Sequence, residues 1–176
     1  QPVLWWTPDP RAVLLPDQLR VTRSLKKTLR KGRYRVTVDQ AFARVIEACA
    51  STPRPDQDGT WITDEMQRAY TRMHREGLTH SVETWEEERL VGGLYGMAIG
   101  QVFFGESMFS WSSDASKVAL VRLRDLGFAL IDCQVESDFV TQMGARPIAR
   151  ARFAALLDQH CDQAGPFDAP VDEVGS

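Results

Sequence analysis

Gly92–Ser110 reads GGLYGMAIGQVFFGESMFS, and the fold turns on this stretch. Leu90–Ile99 and Gln101–Phe109 both have strand character, with Gly100 between them. His80–Trp85 (HSVETW) lies just upstream, joined through the acidic turn EEER. The three segments together predict an antiparallel meander. Glycines 92, 93, 96 and 100 fall inside these strand patterns, where glycine is costly. They suit a bulge, or a place where a ligand must approach the backbone closely. Tight turns of a twisted meander explain them as well.

Toward the N-terminus, Arg11–Pro16 (RAVLLP) predicts a short strand ended by proline, and Tyr34–Val38 (YRVTV) a second. Between them Ser24–Lys31 predicts a basic helix closed by Gly32. Asp39 is placed to cap a helix running to Cys49, with Ala41, Val45 and Ala48 along one side and Phe42, Ile46 and Cys49 beside them. Ser51–Gly59 is a loop by its proline and glycine content. Thr63 opens another helix, with Asp64 and Glu65 in its first turn, Met66, Ala69, Tyr70 and Met73 facing inward, and Gly77 at its end.

Beyond the meander come a helix over Ser113–Leu126 and a buried strand, Ala129–Val135 (ALIDCQV). Helical stretches Ser137–Met143 and Ile148–Cys161 follow, and residues 163–176 are expected to fray. This order predicts an α+β fold, a mixed central sheet flanked by helices. It is similar to the GNAT acyltransferase superfamily. A fold hosts many chemistries, so the function must be argued from the site.

The 176 residues suffice for one domain, placed at 1–162, that buries its core without disulfide or metal. No apolar run approaches the ~20 residues of a membrane span. The start, QPVLWWTPDP, has neither the basic nor the apolar region of a signal peptide. A cytoplasmic location with no membrane partner is the expectation. Cys49, Cys133 and Cys161 are odd in number and form no CxxC pair, and His74, His80 and His160 form no HExxH. Thiols in a reducing compartment, with no metal and no cofactor, are therefore expected. The net charge of -3 conceals an asymmetry, because residues 20–35 carry eight cations and no acid, leaving -11 on the rest. Such a block signals a polyanionic partner or a solvated face.

Leu94, Met97, Phe103, Phe104, Met108 and Phe109 surround the glycine-rich strands. Flexible Met beside Phe suits a pocket that accepts more than one apolar side chain, or ordinary core. Glu106 follows Gly105 at the edge of an apolar strand, as a solvated turn residue or a polar group positioned in a pocket. Asp132 and Gln134 are two apart on one strand, so both project from the same face. A carboxylate and an amide on a central strand are expensive unless paired or functional.

Taken in order, WWTPDPR, YRVTVDQAF, GTWIT, HSVETW, GGLYG, FGESMFS, ASKVAL and LIDCQV resemble the signature segments of the leucyl/phenylalanyl-tRNA–protein transferases, from Trp5 to about Arg152. The resemblance implies transfer of Leu, Phe or, less readily, Met from aminoacyl-tRNA to proteins that begin with Arg or Lys, marking them for the bacterial N-end degradation pathway. It implies a GNAT-like catalytic domain, with most of the family's N-terminal domain lying ahead of WWTPDPR. It assigns the aminoacyl pocket to Leu94, Phe103, Met108 and Leu123, and catalytic or orienting roles to Asp132, Gln134 and Glu106. The basic block falls on the region that holds tRNA, nominating Arg23, Lys26, Lys27, Arg30 and Lys31. Unpaired RNA ends are read by stacking, which makes Trp5, Trp6, Trp61, Trp85 and Trp111 candidates, Trp61 foremost.

Two rivals remain at this point. An acetyl-CoA-dependent acetyltransferase of the GNAT type needs a Gly-rich pyrophosphate loop, and the corresponding place reads SWSSDASK. A non-catalytic RNA-binding module would rest on the basic segment alone, leaving FGESMFS and the Asp132/Gln134 pair without a purpose.

Overall fold

The computed structural model describes residues 7–54 and 60–168. Its elements in chain order are β1 (Arg11–Leu14), α1 (Arg23–Arg30), β2 (Arg35–Val38), α2 (Phe42–Ser51), α3 (Asp64–Arg75), β3 (Thr79–Glu86), β4 (Arg89–Ile99), β5 (Val102–Ser110), α4 (Ala115–Asp125), β6 (Leu130–Gln134), α5 (Asp138–Gln142), β7 (Arg146–Ile148) and α6 (Arg150–His160). The strands form one sheet in the order β2-β3-β4-β5-β6-β1-β7. The expected meander is its centre, since β3 pairs with β4 and β4 with β5, both antiparallel. Helix α4 carries the chain from β5 to β6, which pair in parallel. The α+β class with a mixed sheet flanked by helices is therefore as expected.

Alternation along the strands sends side chains to two faces. Val82, Leu94 and Phe103 pack with Leu120 and Leu123 of α4 and with Leu25 of α1. Tyr95, next to Leu94, points the other way and joins Trp85, Leu90 and Phe109 against Phe42, Val45 and Ile46 of α2. On that second face Val13, Val102 and Leu130 receive Phe153 of α6.

Two glycines of the opening stretch have a steric reason. The β4–β5 register shifts at Tyr95/Gly96, and a Cβ at Gly96 would come within 2.2 Å of the Phe104 carbonyl oxygen. Gly100 turns between β4 and β5 at φ +55, with the Cys161 carbonyl oxygen 2.2 Å from where its Cβ would lie. The bulge reading holds at Gly96.

Thr22 caps α1 by accepting from Leu25 N at 3.1 Å, and Thr63 caps α3 by accepting from Met66 N at 3.2 Å. Each cap of this kind contributes ~1 kcal/mol. Asp39 does not cap α2. It adopts φ 58, and the helix begins only after Ala41, whose N–H donates to Glu83 Oε1 at 3.0 Å. Asp39 instead accepts from Ser81 N at 2.9 Å, because an acid in the left-handed region closes the β2–α2 turn. Ala69 is exposed rather than inward on α3. Strand β7, of which only Ile148 was assigned from sequence, as the start of a helix, pairs with β1 and covers that edge of the sheet. Of the stretch 163–176, residues 163–168 are described, and the Phe167 ring stacks on His80 with 3.6 Å between centroids.

Candidate active site

The sheet opens where β5 and β6 part. These strands pair over Val102–Leu130, Phe103–Ile131 and Phe104–Asp132 and no further. Beyond that point β5 stays with β4 to Ser110, while β6 ends at Gln134. The gap is a cavity of about 390 Å³, within the ~300–1,000 Å³ usual for small-ligand pockets. Leu94, Phe103, Met108 and Leu123 line it, together with Ile131 and Met143. All four residues nominated for an apolar pocket thus share one cavity. Glu106 and Asp132 line it too.

Asp132 is 1% exposed. Arg11 donates to both of its oxygens, from Nε at 2.9 Å and Nη2 at 2.5 Å. The Gln134 backbone N–H also donates to Asp132 Oδ1, at 2.9 Å. A buried carboxylate needs such partners, and the bidentate guanidinium supplies both charge and direction. The pairing raises the Arg11 pKa above its usual value, chiefly through the hydrogen bond to Asp132. Arg11 in turn stands 4.7 Å over the Phe153 ring.

Gln134 departs from regular strand geometry. The β1–β6 register shifts between Ala12 and Val13, opposite Gln134 and Asp132, and Gln134 takes φ 65. Its Nε2 donates to the Gly105 carbonyl at 2.7 Å. The amide is therefore aimed across the gap between the parted strands, held at its backbone by Asp132 and at its tip by β5. Glu106 lies on the same side. Burial raises its pKa, opposed by hydrogen bonding from the Tyr70 and Gln134 side chains, with Asp132 adding to the rise and Arg11 reducing it. The three polar residues nominated from sequence form one cluster.

Sequence reading missed Arg11, which carries the charge that makes Asp132 tolerable. Its signal was a lone cation opening an apolar strand, meaningful only once β1 lies beside β6. Tyr70, read as core, reaches Glu106 from α3. Tyr95 also lines the cleft, fully buried, and its hydroxyl has no hydrogen-bond partner among the described residues. Cys133 lines the cleft as well, but burial pushes its thiol up to about 12, so it is no thiolate nucleophile at neutral pH.

Arg23, Lys26, Lys27, Arg30 and Lys31 border one shallow depression on α1, away from the cleft. None of the five makes an ion pair among the described residues. The end of the basic block differs, since Arg33 pairs with Glu86 at 2.6 Å and Arg35 stands 5.2 Å over the Trp85 ring. Trp85 is core, with Nε1 donating to Thr37 Oγ1 at 2.8 Å. Trp61 is 40% exposed but lines neither the cleft nor the α1 depression. Trp5 and Trp6 lie outside the described residues.

Asp39, His74 and His80 present donor atoms of metal-ligand type within 4.8 Å of one another. Their ring nitrogens already face protein acceptors: His80 Nδ1 lies 2.7 Å from Asp39 Oδ2 and Nε2 3.0 Å from the Gly77 carbonyl, and His74 Nδ1 lies 2.7 Å from the Thr79 carbonyl. The group locks α3 to the β2–β3 edge. Among the described residues no helix is long and apolar enough to cross a membrane.

Fold and cleft place the protein among mixed-sheet α+β proteins with a cleft at a parting parallel strand pair. The chain belongs to the leucyl/phenylalanyl-tRNA protein transferase family, whose model matches residues 13–158. It is 58% identical over 172 residues to a leucyl/phenylalanyl-tRNA–protein transferase of Stutzerimonas stutzeri, covering 96% of this chain and 76% of that protein. A Pseudomonas fluorescens protein of the same name is 58% identical over 167 residues, covering 93% and 74%. In architecture the chain is similar to a conserved protein of unknown function from Staphylococcus epidermidis, with TM-score 0.52 at 8% identity over 80% of this chain and 57% of that one. A GCN5-related N-acetyltransferase from Kribbella flavida superposes less well, with TM-score 0.45 at 12% identity over 80% and 55%.

Proposed function

We propose that the chain transfers Leu or Phe, and less readily Met, from aminoacyl-tRNA to the α-amine of proteins that begin with Arg or Lys, marking them for N-end rule degradation in the cytoplasm. The carrying observation is the joining of an apolar cavity to the Asp132, Gln134 and Glu106 cluster at one parting strand pair. Membership of the family supports the reaction class. The catalytic unit is assigned to residues 1–162.

The reaction is aminolysis of an ester. The acceptor's amine nitrogen bonds to the aminoacyl carbonyl carbon, the bond to the ribose oxygen breaks, and the amine's proton passes to that oxygen. An α-amine with pKa near ~8 is partly neutral at cellular pH, and the ester is already activated. Holding the two reactants together therefore supplies much of the acceleration. The aminoacyl side chain enters between Leu94, Phe103, Met108 and Leu123, which leaves its ester at the polar lip. Gln134 is held at both ends, so its remaining amide oxygen can accept from the attacking amine. A carboxamide is too weak a base to keep the proton, so its role is to align the amine. Asp132 acts through Gln134 and is a positioning residue. Glu106 takes the cationic amine of the aminoacyl group or the acceptor's basic side chain. The α1 cations take the tRNA backbone, with Trp61 as a stacking platform.

An acetyl-CoA reaction fits less well. The α4 N-terminus, where a pyrophosphate would need free amides, is filled by the protein: Ser116 N donates to Ser110 Oγ at 3.2 Å. Tyr34 Oη donates to the Ser113 carbonyl at 2.6 Å across the preceding turn. Transfer of radiolabelled Leu or Phe from charged tRNA to a model protein beginning with Arg tests the proposal. Transfer by wild type and its loss in Asp132→Ala, with tRNA still bound, is the expected result. Binding of charged tRNA without any transfer by wild type would favour an RNA-binding module instead.

A further inference from the structure

Resting on the aminoacyl-transfer reading, we propose that Arg11 is a positioning residue of the reaction, fixing the Asp132 carboxylate so that Gln134 keeps its amide aimed at the attacking amine. The TPDPR part of the opening WWTPDPR segment then has a purpose, which is to seat Arg11. Arg11 does not line the cleft, so it acts through the neighbour it holds, Asp132, which does. Its two donors reach different oxygens, Nε to Oδ1 and Nη2 to Oδ2, which sets the plane of the carboxylate as well as its charge. The plane matters because Oδ1 also accepts from the backbone N–H two residues on, at Gln134. Such a turn across an aspartate forms only while that oxygen stays in place. Gln134 needs the bond, since its φ of 65 lies in the left-handed region that a residue with a side chain rarely adopts. From this backbone its Nε2 reaches the Gly105 carbonyl. The contacts thus run from Arg11 on β1 through Asp132 and Gln134 on β6 to Gly105 on β5.

Arg11 is itself held from several directions. Strand β1 lies between β6 and β7, with Arg11 opposite Ile148. The buried Phe153 ring of α6 packs against the guanidinium. Asp9 fastens α6 in turn: Ala149 at its N-cap offers no side-chain cap, and Arg150 N donates instead to Asp9 Oδ1 at 3.2 Å. An acid at a helix start is well placed, and here it ties α6 to the segment that carries Arg11. An apolar pair of similar volume would hold β1 to β6 about as well as this ion pair does. What an apolar pair lacks is direction, and direction is what the bond to Gln134 requires.

The test is steady-state transfer from charged tRNA to a protein beginning with Arg, together with hydrogen exchange of the Gln134 amide. Lysine keeps the positive charge, whose field also reaches Glu106, but its single nitrogen cannot fix both oxygens in one plane. Arg11→Lys should therefore lower kcat about tenfold, leave the KM for charged tRNA within about twofold, and speed exchange at Gln134 about tenfold. Arg11→Met should lower kcat about 100-fold, and adding it to Asp132→Ala should cost nothing further, because both act along one path. Arg11→Lys carries the decision should Arg11→Met fail to fold. Wild-type kcat and wild-type exchange in Arg11→Lys would overturn the proposal, as would losses that multiply in the double variant. A lower unfolding midpoint with unchanged kcat would make the pair structural only, and would overturn it too. Wild type that transfers nothing would defeat the aminoacyl-transfer reading itself, whereas a transferring wild type with an unaltered Arg11→Lys would defeat the role of Arg11 alone.

Discussion

The cleft and the basic helix both concentrate polar residues, yet they are built in opposite ways. The five cations sit on one short helix, α1, or at its end, as Lys31 does, and make no ion pairs among the described residues. At the cleft the buried Asp132 has a specific partner from a distant part of the chain, Arg11. The helix offers charge to a flexible, extended polyanion, for which exact placement matters little. The cleft fixes atoms, because a reaction between two substrates is sensitive to small displacements. Substitutions should therefore be abrupt at the cleft and graded on α1.

Asp132→Ala gives the largest effect. Transfer should fall at least ~100-fold through misplacement of Gln134. Stability should fall by ~2 kcal/mol, less than for a fully buried pair because Arg11 is 14% exposed, and urea unfolding reads this loss. Near-normal transfer in this variant would end the distinction between the two regions. Gln134→Glu separates alignment from base catalysis. Alignment predicts a rate loss of ~10-fold or more, since a third carboxyl group joins Glu106 and Asp132, whereas a base role predicts a retained or higher rate.

Leu123→Phe narrows the cavity floor and should shift the kcat/KM preference from Phe toward Leu by about tenfold, measured with the two charged tRNAs in competition. Unaltered preference would move the aminoacyl side chain elsewhere. Replacing Lys26, Lys27 and Arg30 together by Ala should weaken tRNA binding without changing kcat at saturating tRNA. The slope of log affinity against log salt should drop by about one per cation removed. An unchanged slope would leave α1 a solvated face.

The smallest effect concerns Glu106. Its carboxyl pKa is raised in the folded protein, chiefly by burial, so over the window from the ordinary carboxyl value up to the raised one the native state binds more protons than the unfolded chain. Stability should decline as pH rises through that window. Glu106→Gln should flatten this part of the stability profile, and a profile identical to wild type would show that Glu106 titrates normally.

Much of the fold was legible along the chain because its signals are local. The meander followed from strand segments and the glycine at their turn, and Thr63 and Gly77 bracketed α3 correctly. Asp39 misled because an aspartate serves a turn as readily as a helix cap, and only its contact with Ser81 and the sheet decided between them. Strand β7 escaped because three residues, one of them proline, carry no periodic signal and are held by pairing with β1.

The same division applies to the site. The sequence by itself determined the basic helix and the oddity of an acid and an amide on a core strand, since composition and periodicity record such properties residue by residue, whereas the lining set Leu94, Phe103, Met108 and Leu123 was implied by the family resemblance. Tertiary structure alone decided that β5 and β6 part beyond Asp132, that Arg11 neutralises that acid, and that Arg54 reaches the cleft. Residues 11 and 132 become partners only when β1 is laid against β6, and long-range pairing of that kind depends on the whole sheet closing rather than on any local preference.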